Sequence, residues 1–370
     1  MPRTLKLLLS AALVPALCAT HTPAQTGPQP TPARAAADDA VERGKLLYRR
    51  GDAEGAIAVL RPAAERLKND ADAWYYLGLA LNRRGRAKDA RKAFERAADL
   101  RPDFSPAHVG LAYTLMRTNK LRDAEREARR ALALDANSAE AHYVLGVVRL
   151  REDREGKAVE EADAALKINP NFAAALLLKS SAMVGLYLEE YDAIFTKYPF
   201  RPRQAAEERE RARAARLAAQ EAIRPTLVSA VESLKKVIEL EPASPEAPSW
   251  REQLETLSVY ARASDSAAPP GPPILALGPN EGTTKAVILS KPEPGYPDSA
   301  RQDGVTGVVR LRAVLASDGE VKYIFPLRSP DYRLTQASVS AARKIKFTPA
   351  TKDGRPVSQF IVLEYNFNIY

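Results

Sequence analysis

The chain has 370 residues, of which 45% are apolar and 27% charged, a balance that excludes collagen, a wholly disordered chain and a multi-span membrane protein and suits two or three globular domains. The formal charge of +9 is spread evenly, with +3 over residues 1–36, +3 over 37–264 and +3 over 265–370, so no window carries the concentrated basic face of a nucleic-acid reader. One cysteine, Cys18, and three histidines, His21, His108 and His142, rule out an internal disulfide and a CxxC site, and leave little for a histidine-based metal or catalytic site.

At the start of the chain, Arg3 and Lys6 precede an apolar run over residues 7–19, broken by Ser10 and Pro15. Such a run matches a secretory signal and is too short to span a bilayer. Small residues favour cleavage after Ala24, and Leu17 disfavours lipid attachment at Cys18. The expectation is a signal peptide over 1–24, export with no membrane span left after cleavage, and a disordered leader over 25–36 that is rich in Pro, Thr, Gln and Ala.

Next comes a repeat with a period of 34. Trp74, Leu77, Gly78, Leu81, Ala90, Phe94, Ala97 and Pro102 recur one period later as His108, Leu111, Ala112, Leu115, Ala124, Ala128 and Ala131. One more period brings His142, Leu145, Gly146, Ala158, Ala162, Ala165 and Pro170, and Ala40, Gly44, Leu47, Ala56, Leu60 and Ala63 stand one period earlier. This spacing resembles the tetratricopeptide repeat over residues 37–172. Each unit reads as two amphipathic helices that cannot bury their apolar faces alone, so stacking builds a continuous core and an extended binding surface. Beyond Asn171 the register drifts. A modified fifth unit and a weaker sixth over 211–244 are expected, followed by a capping helix from a Ser249–Glu252 capping box to about Arg262. The repeat region is therefore set at 37–262 and a Pro/Ala-rich linker at 263–283.

From Lys291 onward the sequence carries Tyr296-Pro297, Gly304 and Gly307, Asp318-Gly319, Phe347-x-Pro349-Ala350, Gly354-x-Pro356-Val357 and a closing aromatic segment. This order resembles the C-terminal domain of TonB-family proteins, and residues 284–370 are assigned to it. Alternation over 306–316 and 320–328 around Asp318-Gly319 predicts an antiparallel hairpin. Leu334–Lys344 has helical spacing, and 357–369 reads as a third strand. The fold class is thus multidomain, an all-α solenoid followed by a small α+β domain with a three-stranded antiparallel sheet. Such a sheet leaves edges open to an added strand.

Candidate contact residues follow from these patterns. Arg49, Arg83, Arg117 and Arg151 stand 34 apart at a position that, by resemblance, faces the concave groove; a solvated basic rim and a clamp for carboxylates both remain open. Tyr75, Tyr113 and Tyr143 accompany them. In the C-terminal domain the candidates are Tyr296, Gln359, Ile361, Leu363 and Tyr365. His108 and His142 read as replacements for the packed Trp74. Tyr187, Tyr191, Phe195 and Tyr198 form a helical stripe read as core. No nucleophile elbow, phosphate loop or spaced acid pair appears, so no enzyme activity, metal or cofactor is expected. The resemblances imply a periplasmic or cell-envelope adaptor. The groove would hold a protein or peptide, and the final strand would pair with a TonB-dependent outer-membrane receptor in energy-coupled transport. The alternative is an envelope-assembly or wall-associated scaffold without energy transduction.

Overall fold

The computed structural model describes residues 31–198, 205–262, 274–275 and 283–368. The expected signal peptide, Cys18, His21 and most of the linker lie outside the described residues. Packing divides the chain into two units, with the boundary between Leu178 and Lys179.

The first unit is built of helix pairs: α1 (Pro32–Arg49) with α2 (Ala53–Arg66), α3 (Ala71–Arg83) with α4 (Ala87–Leu100), α5 (Ser105–Arg117) with α6 (Leu121–Leu134), and α7 (Ala139–Arg151) with α8 (Glu155–Ile168). Helix α1 begins inside the segment expected to be a disordered leader. Pro32 opens it, supplying a preset φ and removing one unpaired N–H, and the alanines that follow favour helix. Each pair turns on one left-handed residue, Gly51, Gly85, Asn119 or Asp153, again 34 apart. At Gly85 the turn closes as a Schellman arrangement: the Gly85 N–H donates to Asn82 O and the Arg86 N–H to Leu81 O.

Small residues let the helices close up. Phe94 of α4, fully buried, lies against both Gly78 of α3 and Gly110 of α5, where an added Cβ would stand 2.5–2.8 Å from the nearest ring carbons. One aromatic ring therefore locks two successive repeats together.

The period then breaks. The residue one period after Asp153 is Tyr187, a bulky side chain poorly suited to the left-handed turn, and the helix runs straight through it as α9 (Ala173–Lys197). The expected sixth helix pair is likewise one helix, α10 (Ala206–Leu240), and α11 (Ala247–Ala261) follows. Helix α11 starts two residues before Ser249, with Pro248 in its first turn and no side-chain cap, so the expected capping box does not form.

The second unit continues with β1 (Ile274–Leu275), β2 (Thr283–Thr284), β3 (Val287–Ser290), α12 (Asp298–Gln302), β4 (Gly307–Leu315), β5 (Val321–Arg328), α13 (Tyr332–Ala342), β6 (Lys346–Thr348), β7 (Ala350–Lys352) and β8 (Arg355–Phe367). The expected three strands are present as β8-β4-β5, with β4 central and both pairings antiparallel. Strands β7 and β2 extend this sheet, β1 lies parallel beside Ser358 and Gln359, and β3 pairs with β6 in a separate ladder. Leu334, Ala341 and Ala342 of α13 close one face over Val309, Leu311, Leu363 and Tyr365. Towards α11, Arg312 of β4 sits between the rings of Tyr260 (5.0 Å) and Phe360 (4.7 Å), while Tyr260 also meets Phe325 at 5.2 Å.

Candidate binding surfaces

In the first unit the arginine series has a regular structural use. The guanidinium of Arg83 donates to Tyr48 O (3.4 Å), that of Arg117 to Asn82 O (3.4 Å) and that of Arg151 to Met116 O (2.7 Å). Each acceptor lies 35 residues back, in the last turn of the first helix of the preceding pair, where it also receives the N–H of the left-handed turn residue. Carbonyls in the last turn lack a helical partner, so each arginine ties its own repeat to the one before it. The sequence offered a solvated rim or a clamp, whereas these guanidinia are exposed side chains with one donor already committed. The residue that Arg49 would reach by the same rule is outside the described residues.

Tyrosines flank this row. Arg83 stacks over Tyr48 at 5.7 Å and Arg117 over Tyr113 at 6.0 Å, and Lys45 lies 5.3 Å from the Tyr76 ring. These three rings are half-buried. Burial pushes the Tyr48 and Tyr113 phenols above their ordinary values, against the pull of Arg83 and Arg117 respectively. At neutral pH they are therefore uncharged, with a flat apolar face and a hydroxyl that both donates and accepts. Tyr75 and Tyr143 are corrections to the expected contact set. Tyr75 is buried against Phe94 and Phe104, and Tyr143 against Phe172, so neither ring has surface to offer. Tyr48 and Tyr76 were missed because no spacing signal separates them from Tyr75, Tyr113 and Tyr143: none of the five tyrosines recurs one period later.

His108 and His142 do more than fill an aromatic position. His108 Nδ1 faces Glu127 Oε2 at 2.9 Å with Nε2 against Pro102 O at 3.1 Å, and His142 Nδ1 faces Glu161 Oε2 at 2.7 Å. Each ties the two helices of its own pair through a glutamate 19 residues on. Among the described residues no group of three or more metal-ligating side chains is assembled.

In the second unit the surface of interest is the last strand. Residues 359–367 of β8 pair with β4 on one side, and β7 and β1 reach only as far as Gln359 on the other. Among the described residues no strand covers 360–367 on that side. Gln359 is buried, and its Oε1 accepts the Ala286 N–H at 2.8 Å. Lys291 Nζ donates to Glu364 O at 2.6 Å and lies 4.5 Å from the Tyr365 ring. Leu363 and Tyr365 are core residues, 3% and 1% exposed, and their expected role as partner-facing side chains is corrected: what this strand can present is backbone and the exposed side chains of Val362, Glu364 and Asn366, with Ile361 half-buried beside them. Tyr296 is an anchor, packed on Phe367 at 5.4 Å with its hydroxyl donating to Val305 O. The opposite edge is engaged at one residue. A bulge places Tyr323 of β5 at φ +50°, and its carbonyl accepts the Tyr260 hydroxyl of α11 at 2.6 Å.

A family model for the Gram-negative bacterial TonB protein C-terminal matches residues 292–369, and two tetratricopeptide repeat models match 41–103 and 81–148. A comparison with curated proteins found no match. Among solved structures the chain is similar to MamA from Desulfovibrio magneticus RS-1, at 20% identity over 56% of this chain and 97% of that one, with a TM-score of 0.37. It is also similar to YrrB, a tetratricopeptide repeat protein with an unusual peptide-binding site, at 21% identity over 58% and 91% with a TM-score of 0.36. A third is a thermophilic tetratricopeptide repeat protein from Thermus thermophilus, at 15% identity over 60% and 100% with a TM-score of 0.39. The family matches fall on the helix pairs and on the strands described above: this chain joins tetratricopeptide repeats, matched within residues 41–148, to a TonB C-terminal domain, matched over residues 292–369.

Proposed function

We propose that the protein is an exported two-site adaptor. Its helix pairs hold one protein or peptide on the surface formed by Tyr48, Tyr76, Tyr113 and the arginine row. Its C-terminal domain takes up an extended segment of a TonB-dependent outer-membrane receptor by strand addition. The observation that carries this reading is the side of β8 over residues 360–367 that no strand pairs among the described residues, within a region matched to the TonB C-terminal domain. Unpaired backbone N–H and C=O groups at a sheet edge accept an added strand. Export is supported by Arg3, Lys6 and the apolar run that follows them. Among the described residues no helix is long and apolar enough to cross a membrane. Both domain types are interaction modules, and the role proposed here is binding and not catalysis.

The test is a proline scan along Ile361, Val362, Leu363 and Glu364. Substitutions of one parity remove donors to β4 and unfold the domain, whereas those of the other parity remove donors on the free side. The expected result is folded variants of one parity that lose an extended receptor-derived peptide by titration calorimetry while their alanine counterparts keep it. Retention of the peptide by every folded proline variant refutes β8 as the docking edge. Export is checked separately by sequencing the mature N-terminus, expected within a few residues of Gln25.

A further inference from the structure

We infer that β3 is a second docking edge, independent of β8, for an extended peptide whose apolar centre is flanked by acidic residues. Strand β3 is paired by β6 along one side, and among the described residues no strand pairs with its other side. All four of its residues are exposed, with Val287 at 58%, Ile288 at 36% and Leu289 at 69%. Three consecutive exposed apolar side chains on an unpaired edge are what folded proteins ordinarily avoid, because such an edge recruits other chains. The domain's core does not use them: Phe347, across from Ile288, is buried, and Val287 and Leu289 contribute nothing to that cluster.

Charge sets the kind of partner. Lys285 precedes β3, Lys352 lies opposite Thr283 in the adjoining ladder, and Lys346 lies opposite Ser290 at the far end of β3, with Lys344 two residues before it. All four are exposed, and none forms an ion pair among the described residues. By contrast, Lys322 and Arg310 of the main sheet pair with Asp318 and Glu364. Positive charge at both ends of an edge whose first three residues are apolar complements a strand that is acidic at its ends and apolar in the middle. Backbone pairing would supply affinity, and the lysines orientation and register.

The experiment titrates the full chain into a fluorescently labelled peptide of alternating valine and threonine, bounded at each end by two aspartates, and follows anisotropy. Saturable binding is expected that weakens with added salt and is lost when lysines replace the aspartates. Leu289→Asp and, separately, Lys285→Glu with Lys346→Glu are each expected to weaken it by at least about tenfold. Val362→Asp on β8 is expected to leave it unchanged, which separates this site from the proposed receptor edge. The lysine pair is exposed and keeps the result interpretable should Leu289→Asp disturb folding. Absence of saturable binding, indifference to both β3 changes, or equal loss with Val362→Asp overturns the inference. So does cosedimentation with phosphatidylglycerol vesicles through the same lysines when the peptide fails to bind, since the patch would then be a lipid contact.

Discussion

Alanine at Gly110 offers a sharp test of how the repeats are held at their spacing. In an unobstructed helix Gly→Ala stabilises by about 0.5–1 kcal/mol. At Gly110 the new Cβ would lie 2.5 Å from Phe94 Cε1, 2.7 Å from Cζ and 2.8 Å from Cδ1, against 3.4 Å for ordinary contact, and Gly78 closes on the same ring atoms from α3. Phe94 is fully buried and cannot swing outward. Overpacking of this kind costs about 1–3 kcal/mol, so the substitution should destabilise by up to about 2 kcal/mol after the propensity gain. Gly156 in α8, with nothing near its missing Cβ, should respond with the opposite sign, gaining a few tenths of a kcal/mol. Urea midpoints by circular dichroism and by tryptophan fluorescence in a Trp250→Phe background, which leaves Trp74 of α3 as the reporter, measure both, compared as midpoints because repeat arrays need not unfold in two states. Shortening the ring in Phe94→Leu makes room, so the double variant should be more stable than the sum of the single effects, with a coupling of at least about 0.5 kcal/mol. A stabilised Gly110→Ala protein, or additive effects with Phe94→Leu, refutes the account of Phe94 as a spacer between repeats.

Other outcomes follow from the same packing. Arg151→Ala should lower the urea midpoint more than Arg83→Ala, by about 1 kcal/mol against a few tenths, because its bond to Met116 O is 2.7 Å and that of Arg83 to Tyr48 O is 3.4 Å. Removal of the guanidinium in Arg312→Ala, which lies between Tyr260 and Phe360, should cost about 1–2 kcal/mol by thermal melting, with Arg312→Lys intermediate. Burial pushes the Tyr187 phenol up to about 12; the unfolded chain ionises first, so this contribution is intact below pH 10 and is lost between about pH 10 and 12. Circular dichroism and tyrosinate absorbance should therefore fall and rise together in that window, and Tyr187→Phe should delay the loss of structure.

The repeats were legible in the sequence because their signal is redundant: the small residues Gly44, Gly78, Ala112 and Gly146, the alanines Ala56, Ala90, Ala124 and Ala158, and the turn residues each recur at 34. Where that redundancy ends the reading failed, and Tyr187 shows why. Apolar periodicity continues through it, and only the missing turn residue marks the change from a helix pair to one long helix. In the C-terminal domain the Asp318-Gly319 hairpin was read from its turn chemistry. Asp353-Gly354 carries the same dipeptide, with both residues at positive φ, and the β7–β8 hairpin it makes went unread because β7 has three residues and no alternation to measure. The contact residues fared worst. Arg83, Arg117 and Arg151 have identical spacing and unequal bonds, and Tyr75 and Tyr113 share a residue type while one is core and the other is half-open. Sequence spacing records periodic position, whereas accessibility depends on which neighbour fills the adjacent space.

The bond from Tyr260 to the Tyr323 carbonyl bears on which margin of the main sheet can take an added strand. A β8-β4-β5 sheet with both margins free could accept a strand on each and pass the pairing from molecule to molecule into an open-ended chain. With α11 engaging the β5 margin at Tyr323, the open margin of these three strands lies at residues 360–367 of β8. Pairing at β8 is thereby favoured over pairing at β5, which biases the domain towards a single added strand and away from growth through both margins of these three strands.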